Sequence, residues 1–162
     1  MAVVTRYTNG YPQQSAGIGY STPQTQEAKA TVNALAFNIA ATNGDSINSI
    51  YKLGRIPSNA IILPESSLYC PAIAGLTSVS VGLDNLLGTA VAAALMSAVD
   101  IHAGGTFSML SNVAVSNYLQ RAWQLLGLAS DPGQRLDVYA TLNAAATASG
   151  AITGFLKYLT IG

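Results

Sequence analysis

The stretch from Asp131 to Leu142 constrains this chain more than any other. Asp131-Pro132-Gly133 is a turn signal with a mechanism. Proline fixes φ, aspartate can bond the backbone just ahead of it, and glycine tolerates a positive φ. In the RLDVYATL that follows, Leu136, Val138, Ala140 and Leu142 alternate with Arg135, Asp137, Tyr139 and Thr141. A period of two predicts a β-strand with one buried face. Just upstream, Leu119, Trp123 and Leu126 fit helical spacing, with Gly127 at its end, although a strand fits the same residues. Trp123, the only tryptophan, is expected to be buried beneath the last two strands. No residue of this region offers evident acid–base or nucleophilic chemistry, so the region describes packing.

The same signals recur along the chain. KATVNALAFNI reads as a strand and is followed by the turn cluster Asn43-Gly44-Asp45. INSIYKLGRI is a second strand, ended by Pro57-Ser58-Asn59. AIILPESSLYC is a third, where Pro64 demands a bulge or an edge because it cannot donate to a ladder. LTSVSVGL alternates through Val79, Val81 and Leu83, and AITGFLKYL closes the chain. Residues 88–118 read as a long connection, with a short helix over the alanine-rich Ala90–Val99 and a break at Gly104-Gly105. Short strands divided by turn signals predict a mainly β protein: an antiparallel β-sandwich, jelly-roll-like, with a short helix.

Residues 1–27 differ from the rest. They are rich in Tyr, Gln, Thr, Ser, Gly and Pro and lack any hydrophobic period. This predicts an extended N-terminal arm, residues 1–27, ahead of a sandwich domain, residues 28–162. Tyr7, Tyr11 and Tyr20 are the candidate partner-binding residues, since tyrosine gives large contact area with a polar tip at small entropic cost.

Composition then narrows the function. Charged residues make up only 9% of the chain and hydrophobic ones 50%, against about 25% charged in ordinary soluble domains. Such a chain either sits in a membrane or has much of its surface covered by other protein. The longest apolar stretch, near Ala90–Val99, is far short of the about 20 residues of a spanning helix. The opening MAVVTRYTNG lacks the pattern of a signal peptide. No membrane partner is expected. Seven cations balance seven anions, and both are scattered, so no basic footprint for nucleic acid is visible.

No catalytic, cofactor or metal site is expected either. His102 is the only histidine, beside Asp100, and no G-x-S-x-G elbow accompanies it. Cys70 is the only cysteine, which excludes an intramolecular disulfide and reads as a small buried hydrophobe. One His, one Cys and dispersed carboxylates do not make a zinc set, and Asp84 or Asp131 would need an acidic loop to hold calcium. Gly17 and Gly19 have neither the preceding strand nor the following lysine of a phosphate loop.

Four stretches, GDSINSIYKLGRIPSNAIIL, SVSVGL, WQLLGLASDPGQRLDVYATL and GAITGFLKYL, together give a pattern over residues 45–160 that resembles the capsid cement, or decoration, proteins of tailed bacteriophages. The resemblance implies a sandwich on the outside of a capsid that bridges neighbouring major capsid protein subunits. It also implies a homo-oligomer on the particle, and a virion protein assembled in the host cytoplasm, where a lone reduced Cys70 is unremarkable. A shell under pressure from packed DNA would gain cohesion from each joint the protein spans. Specific interfaces bury about 1,600 Å², so several of them would cover much of a small domain, which fits the low charge. The alternative is another virion component, such as a head-fibre, tail or receptor-binding module.

Overall fold

The computed structural model describes residues 31–85 and 87–160; the arm expected over residues 1–27 lies outside them. The strands in chain order are β1 Thr31–Ala41, β2 Ile50–Pro57, β3 Ile61–Ile62, β4 Ser67–Cys70, β5 Ser78–Asp84, β6 Ala90–Asp100, β7 Gly105–Ser108, β8 Arg135–Leu142 and β9 Gly150–Thr160. One helical turn, α1, spans Ala122–Leu125.

The strands form two sheets. One is five-stranded, ordered β1-β9-β4-β7, with β3 also on β9; the other is four-stranded, ordered β2-β8-β5-β6. If β3 and β4 are taken as one interrupted strand, the chain changes sheet at every step except the β5–β6 hairpin. That is a jelly roll, and the expected antiparallel sandwich is the observed one. Its core lies between the sheets, where Ile56, Leu68, Leu83, Leu136, Leu142 and Leu156 are fully buried. Each such side chain contributes roughly 1.5–3 kcal/mol through removal from water.

Pro64 interrupts the third strand as expected. β3 and β4 both pair with β9, on either side of the excursion. Ser66 repairs the gap: the Leu63 amide donates to the Lys157 carbonyl at 2.9 Å, and the Lys157 amide donates to Ser66 Oγ at 3.0 Å. At the other signalled turn, the Gly133 amide donates to Asp131 Oδ1 at 2.9 Å, and Gly133 has φ 64°.

Three expectations need correction. The short helix exists, but at Ala122–Leu125; the alanine-rich Ala90–Val99 is strand β6, and residues 88–118 hold two strands instead of one long connection. Alanine's helical advantage is only tenths of a kcal/mol per residue over most side chains. Pairing with β5 and full burial of Leu95 and Met96 outweigh it. The ladder is irregular: Val91 pairs with Leu83 and Met96 with Val81, so β6 arches outward between them. Gly82 lies beneath the arch, where a Cβ would come within 2.4 Å of the Val91 carbonyl oxygen and 2.7 Å of Ala92 Cα.

The second correction concerns β8, which is buried on both faces. Asp137, Tyr139 and Thr141, expected on the exposed face, are 6%, 5% and 9% exposed. β8 is flanked by β2 and β5, so neighbouring side chains cover its outer face as well.

The third concerns Trp123, which is only half-buried and is not a core anchor. The turn α1 faces inward with Ala122 and Leu126, both buried. Residues four apart share a face of a helix, so Trp123, one position on, points away from that face. The turn instead closes the Ser58–Ala60 corner, with the Ala122 amide on the Ala60 carbonyl at 2.7 Å and the Trp123 amide on the Ser58 carbonyl at 3.1 Å.

Gly82→Ala tests the arch. Alanine is ordinarily no worse than glycine in a strand, yet here the added methyl meets backbone. The expected result is a loss of roughly 1–3 kcal/mol, read as a lower urea midpoint. An unchanged or higher midpoint would show that β6 does not pass over Gly82 this closely.

Candidate interaction faces

The residues singled out for chemistry stand apart in the fold. Tyr7, Tyr11 and Tyr20 lie outside the described residues. His102 is exposed in the β6–β7 turn, and its backbone amide donates to Asp100 Oδ1 at 2.9 Å. Cys70 is fully buried, its Sγ 3.0 Å from the Pro71 carbonyl oxygen, and burial pushes its thiol pKa up. A buried thiol with a raised pKa is a poor nucleophile. Asp131 accepts from the Ser58 hydroxyl and from the Gly133 amide, and both bonds lower its pKa. Among the described residues no group of three or more His, Cys, Asp or Glu is placed to hold a metal ion. What remains is surface, and the two outer faces of the sandwich differ sharply.

The four-stranded sheet carries a compact ion network. Asp137, the third residue of β8, accepts from Arg55 Nε at 2.6 Å and lies 3.1 Å from Lys52 Nζ. Lys52 also reaches Asp84 on β5 at 3.4 Å, and its ammonium lies 5.2 Å from the centre of the Tyr139 ring. Lys52 and Arg55 are three residues apart, so in a regular strand they would point to opposite faces. A bulge between Lys52 and Gly54 inserts one residue against β8 and brings both cations to one side. Residues three apart give no sequence signal of a shared strand face, which is why this cluster escaped the sequence. Burial alone would raise the Asp137 carboxyl; the bonds and charges of Lys52 and Arg55 outweigh it and leave the pKa below the usual carboxylate value. On the other, core-facing side of β2, burial and the Asp45 carboxylate push the Tyr51 phenol up to about 12. Two cations meet two anions here, and a third cation of this face, Arg135, is exposed and donates to the Arg55 carbonyl at 3.2 Å.

The five-stranded sheet presents the opposite surface. β9 turns Ile152 and Leu156 inward and leaves Ala151, Thr153, Phe155 and Lys157 outward. The register aligns Thr106, Tyr69 and Thr153 in one row across β7, β4 and β9, and Ser108, Ser67 and Phe155 in the next. Along β1, Val32, Ala34, Ala36, Asn38 and Ala40 are exposed. Lys157 is the one charged residue of this outward set, and its ammonium lies 5.4 Å from the centre of the Phe155 ring. Tyr69 is 51% exposed and Phe155 37%. Hydroxyls, methyls and two aromatic rings on a flat sheet can contact protein over a wide area with little desolvation of charge. A shallow groove of about 320 Å³ beside β6, lined by Val91, Ala93, Asn112, Asn117, Gln120 and Gln124 among others, is likewise uncharged.

The backbone is similar to a chain of the capsid asymmetric unit of cyanophage Pam1, with 17% identity over 96% of this chain and 99% of that one and a TM-score of 0.56. It is similar also to a chain of the capsid of Ralstonia phage GP4, with 20% identity over 82% of this chain and 85% of that one and a TM-score of 0.56. At such identities the likeness is one of fold. No protein-family model matches the sequence, and no curated protein matches it.

The ion network makes a pH-dependent contribution whose sign is fixed. The folded-state pKa of Asp137 lies below its unfolded value, so its stabilisation is full above about pH 4 and fades as pH falls through the folded value. Asp137→Asn should therefore cost about 1–3 kcal/mol near neutral pH, and the gap to wild type should close in acid. A gap of constant size from neutral to acid pH would mean that the carboxylate's pairing with Lys52 and Arg55 adds nothing.

Proposed function

We propose that this chain is a non-enzymatic structural protein of a phage virion. It docks on the outside of the capsid through the outer face of its five-stranded sheet and bridges major capsid protein subunits. The observation that carries the reading is the charge contrast between the two faces. One sheet pairs four of its charges in place, while the other offers aromatic, hydroxyl and methyl groups with Lys157 as the one charge among its described outward residues. The fold shared with chains of two phage capsids supports the setting.

In this reading the mechanism is added contact. A domain seated across a joint between shell subunits must be stripped off or split before the joint opens, so its interface energy adds to shell cohesion. A standard interface of about 1,600 Å² suffices for specific binding. The segment of residues 1–27, with Tyr7, Tyr11 and Tyr20, would extend the contact beyond the sandwich. Protection against internal pressure needs no titrating group, which fits a buried Cys70 and an exposed, isolated His102.

Tyr69→Glu combined with Thr153→Glu tests the docking face. Both positions are outward, so the circular dichroism spectrum should be kept, while the two carboxylates, which face each other across β4 and β9, lower the thermal midpoint modestly. Binding to undecorated shells should fall by at least about a hundredfold, since two uncompensated carboxylates would be desolvated. Wild-type binding by the folded double variant would move the contact elsewhere. Deleting residues 1–27 should leave the sandwich folded and weaken binding to shells; unchanged affinity would remove Tyr7, Tyr11 and Tyr20 from the interface.

A further inference from the structure

The two sheets have four outer strands, β1 and β7 in one and β2 and β6 in the other. An outer strand presents unpaired amides and carbonyls and is a template for another chain unless something blocks it. β2 is blocked three ways, by the bulge near Gly54, by the charges of Lys52 and Arg55, and by Pro57. β6 breaks register with β5 twice, places Ala98 at φ 41°, and has its Ala93 and Leu95 carbonyls occupied by the Asn112 side chain and amide, at 2.7 and 3.0 Å. β7 has only four residues.

Over residues 34–41, and among the described residues, β1 has none of these devices. Its eleven residues, TVNALAFNIAA, include no charge and no proline. Exposure alternates strictly from Val32 to Ala41, so the pleat runs unbroken. Among the described residues its one strand neighbour is β9. The outward side chains of its second half, Ala34, Ala36, Asn38 and Ala40, are small, so a strand laid alongside would meet no steric barrier.

We infer that β1 pairs with β1 of a second copy of this chain, antiparallel across a twofold axis, so that two five-stranded sheets become one continuous sheet. An isologous contact needs only one self-complementary strand. An uncharged edge does not repel its own copy, whereas the Lys52- and Arg55-bearing β2 would. The ladder over residues 34–41 runs about 26 Å. With the side chains on both sides it buries less than the about 800 Å² per partner of a standard interface, which predicts a reversible dimer on the order of micromolar affinity. The inference stands apart from the capsid reading, because it concerns the chain alone in solution.

The test uses the full chain. Sedimentation should show a concentration-dependent dimer. Ala34→Cys, Ala36→Cys, Asn38→Cys and Ala40→Cys are each oxidised, and the buried Cys70 does not compete. Residues facing each other across an antiparallel pair lie within disulfide range, so the position nearest the twofold axis should cross-link to itself and yield should fall to either side. Ala36→Lys should keep the thermal midpoint yet weaken dimerisation about tenfold or more, and mixing it with Ala36→Glu should restore a mixed dimer. The inference is overturned by a chain that stays monomeric at its solubility limit, or by a dimer that neither cross-links at these positions nor responds to the charges. It falls equally if, in the monomer, the β1 amides that point away from β9 exchange slowly, since residues of the same chain would then cover the edge. Loss of shell binding with an intact dimer, or the reverse, separates this contact from the docking face.

Discussion

Strand β8 must satisfy two environments at once, and the rest of the sandwich is arranged around that demand. It is hydrogen-bonded to β2 on one side and β5 on the other. Its inward residues Leu136, Val138, Ala140 and Leu142 are wholly buried in the core. Its outward residues Asp137, Tyr139 and Thr141 are almost as deeply covered, and one of them is a carboxylate. A buried carboxylate without partners would cost several kcal/mol, so β2 must deliver cations to it. The bulge in β2 does this by bringing Lys52 and Arg55 to the same side of the sheet. One local irregularity thus lets a charged, two-sided strand sit at the centre of a sheet.

The consequence is a division of labour between the faces. The four-stranded sheet spends its charge on itself, in the Lys52, Arg55, Asp84 and Asp137 network. The five-stranded sheet, with Tyr69 and Phe155 among hydroxyls, has almost none. Low overall charge is therefore not spread evenly over the molecule. In the proposed role, the neutral face is the one that meets the shell, where a desolvated charge would weaken binding.

The edges follow the same economy of means. Bulges, a proline, cations and an asparagine side chain guard β2 and β6, and brevity guards β7. Such devices keep soluble β proteins from joining edge to edge. β1 lacks them all, which singles it out as the place where this fold would accept another strand.

Much of this was legible from residue patterns. The alternation of RLDVYATL, the Asp131-Pro132-Gly133 turn and the break at Pro64 are local signals: backbone preference and side-chain period act within a few residues of their cause. They fixed the strands, the turn and the sandwich class. What escaped depended on partners distant in the chain. The alanines at 90 and 92–94 have a helical preference of only tenths of a kcal/mol each, so pairing with β5 and the space above Gly82 decided that the segment is a strand. By alternation Asp137 belongs to an exposed face, because the sequence shows neither neighbour of β8. Trp123 reads as a core anchor because its size is visible in the sequence and the inward face of α1, set by Ala122 and Leu126, is not. Which strand lies at an edge, and which face collects the charge, are properties of sheet order. A jelly roll sets that order by joining strands far apart in sequence, so only the tertiary structure could decide them.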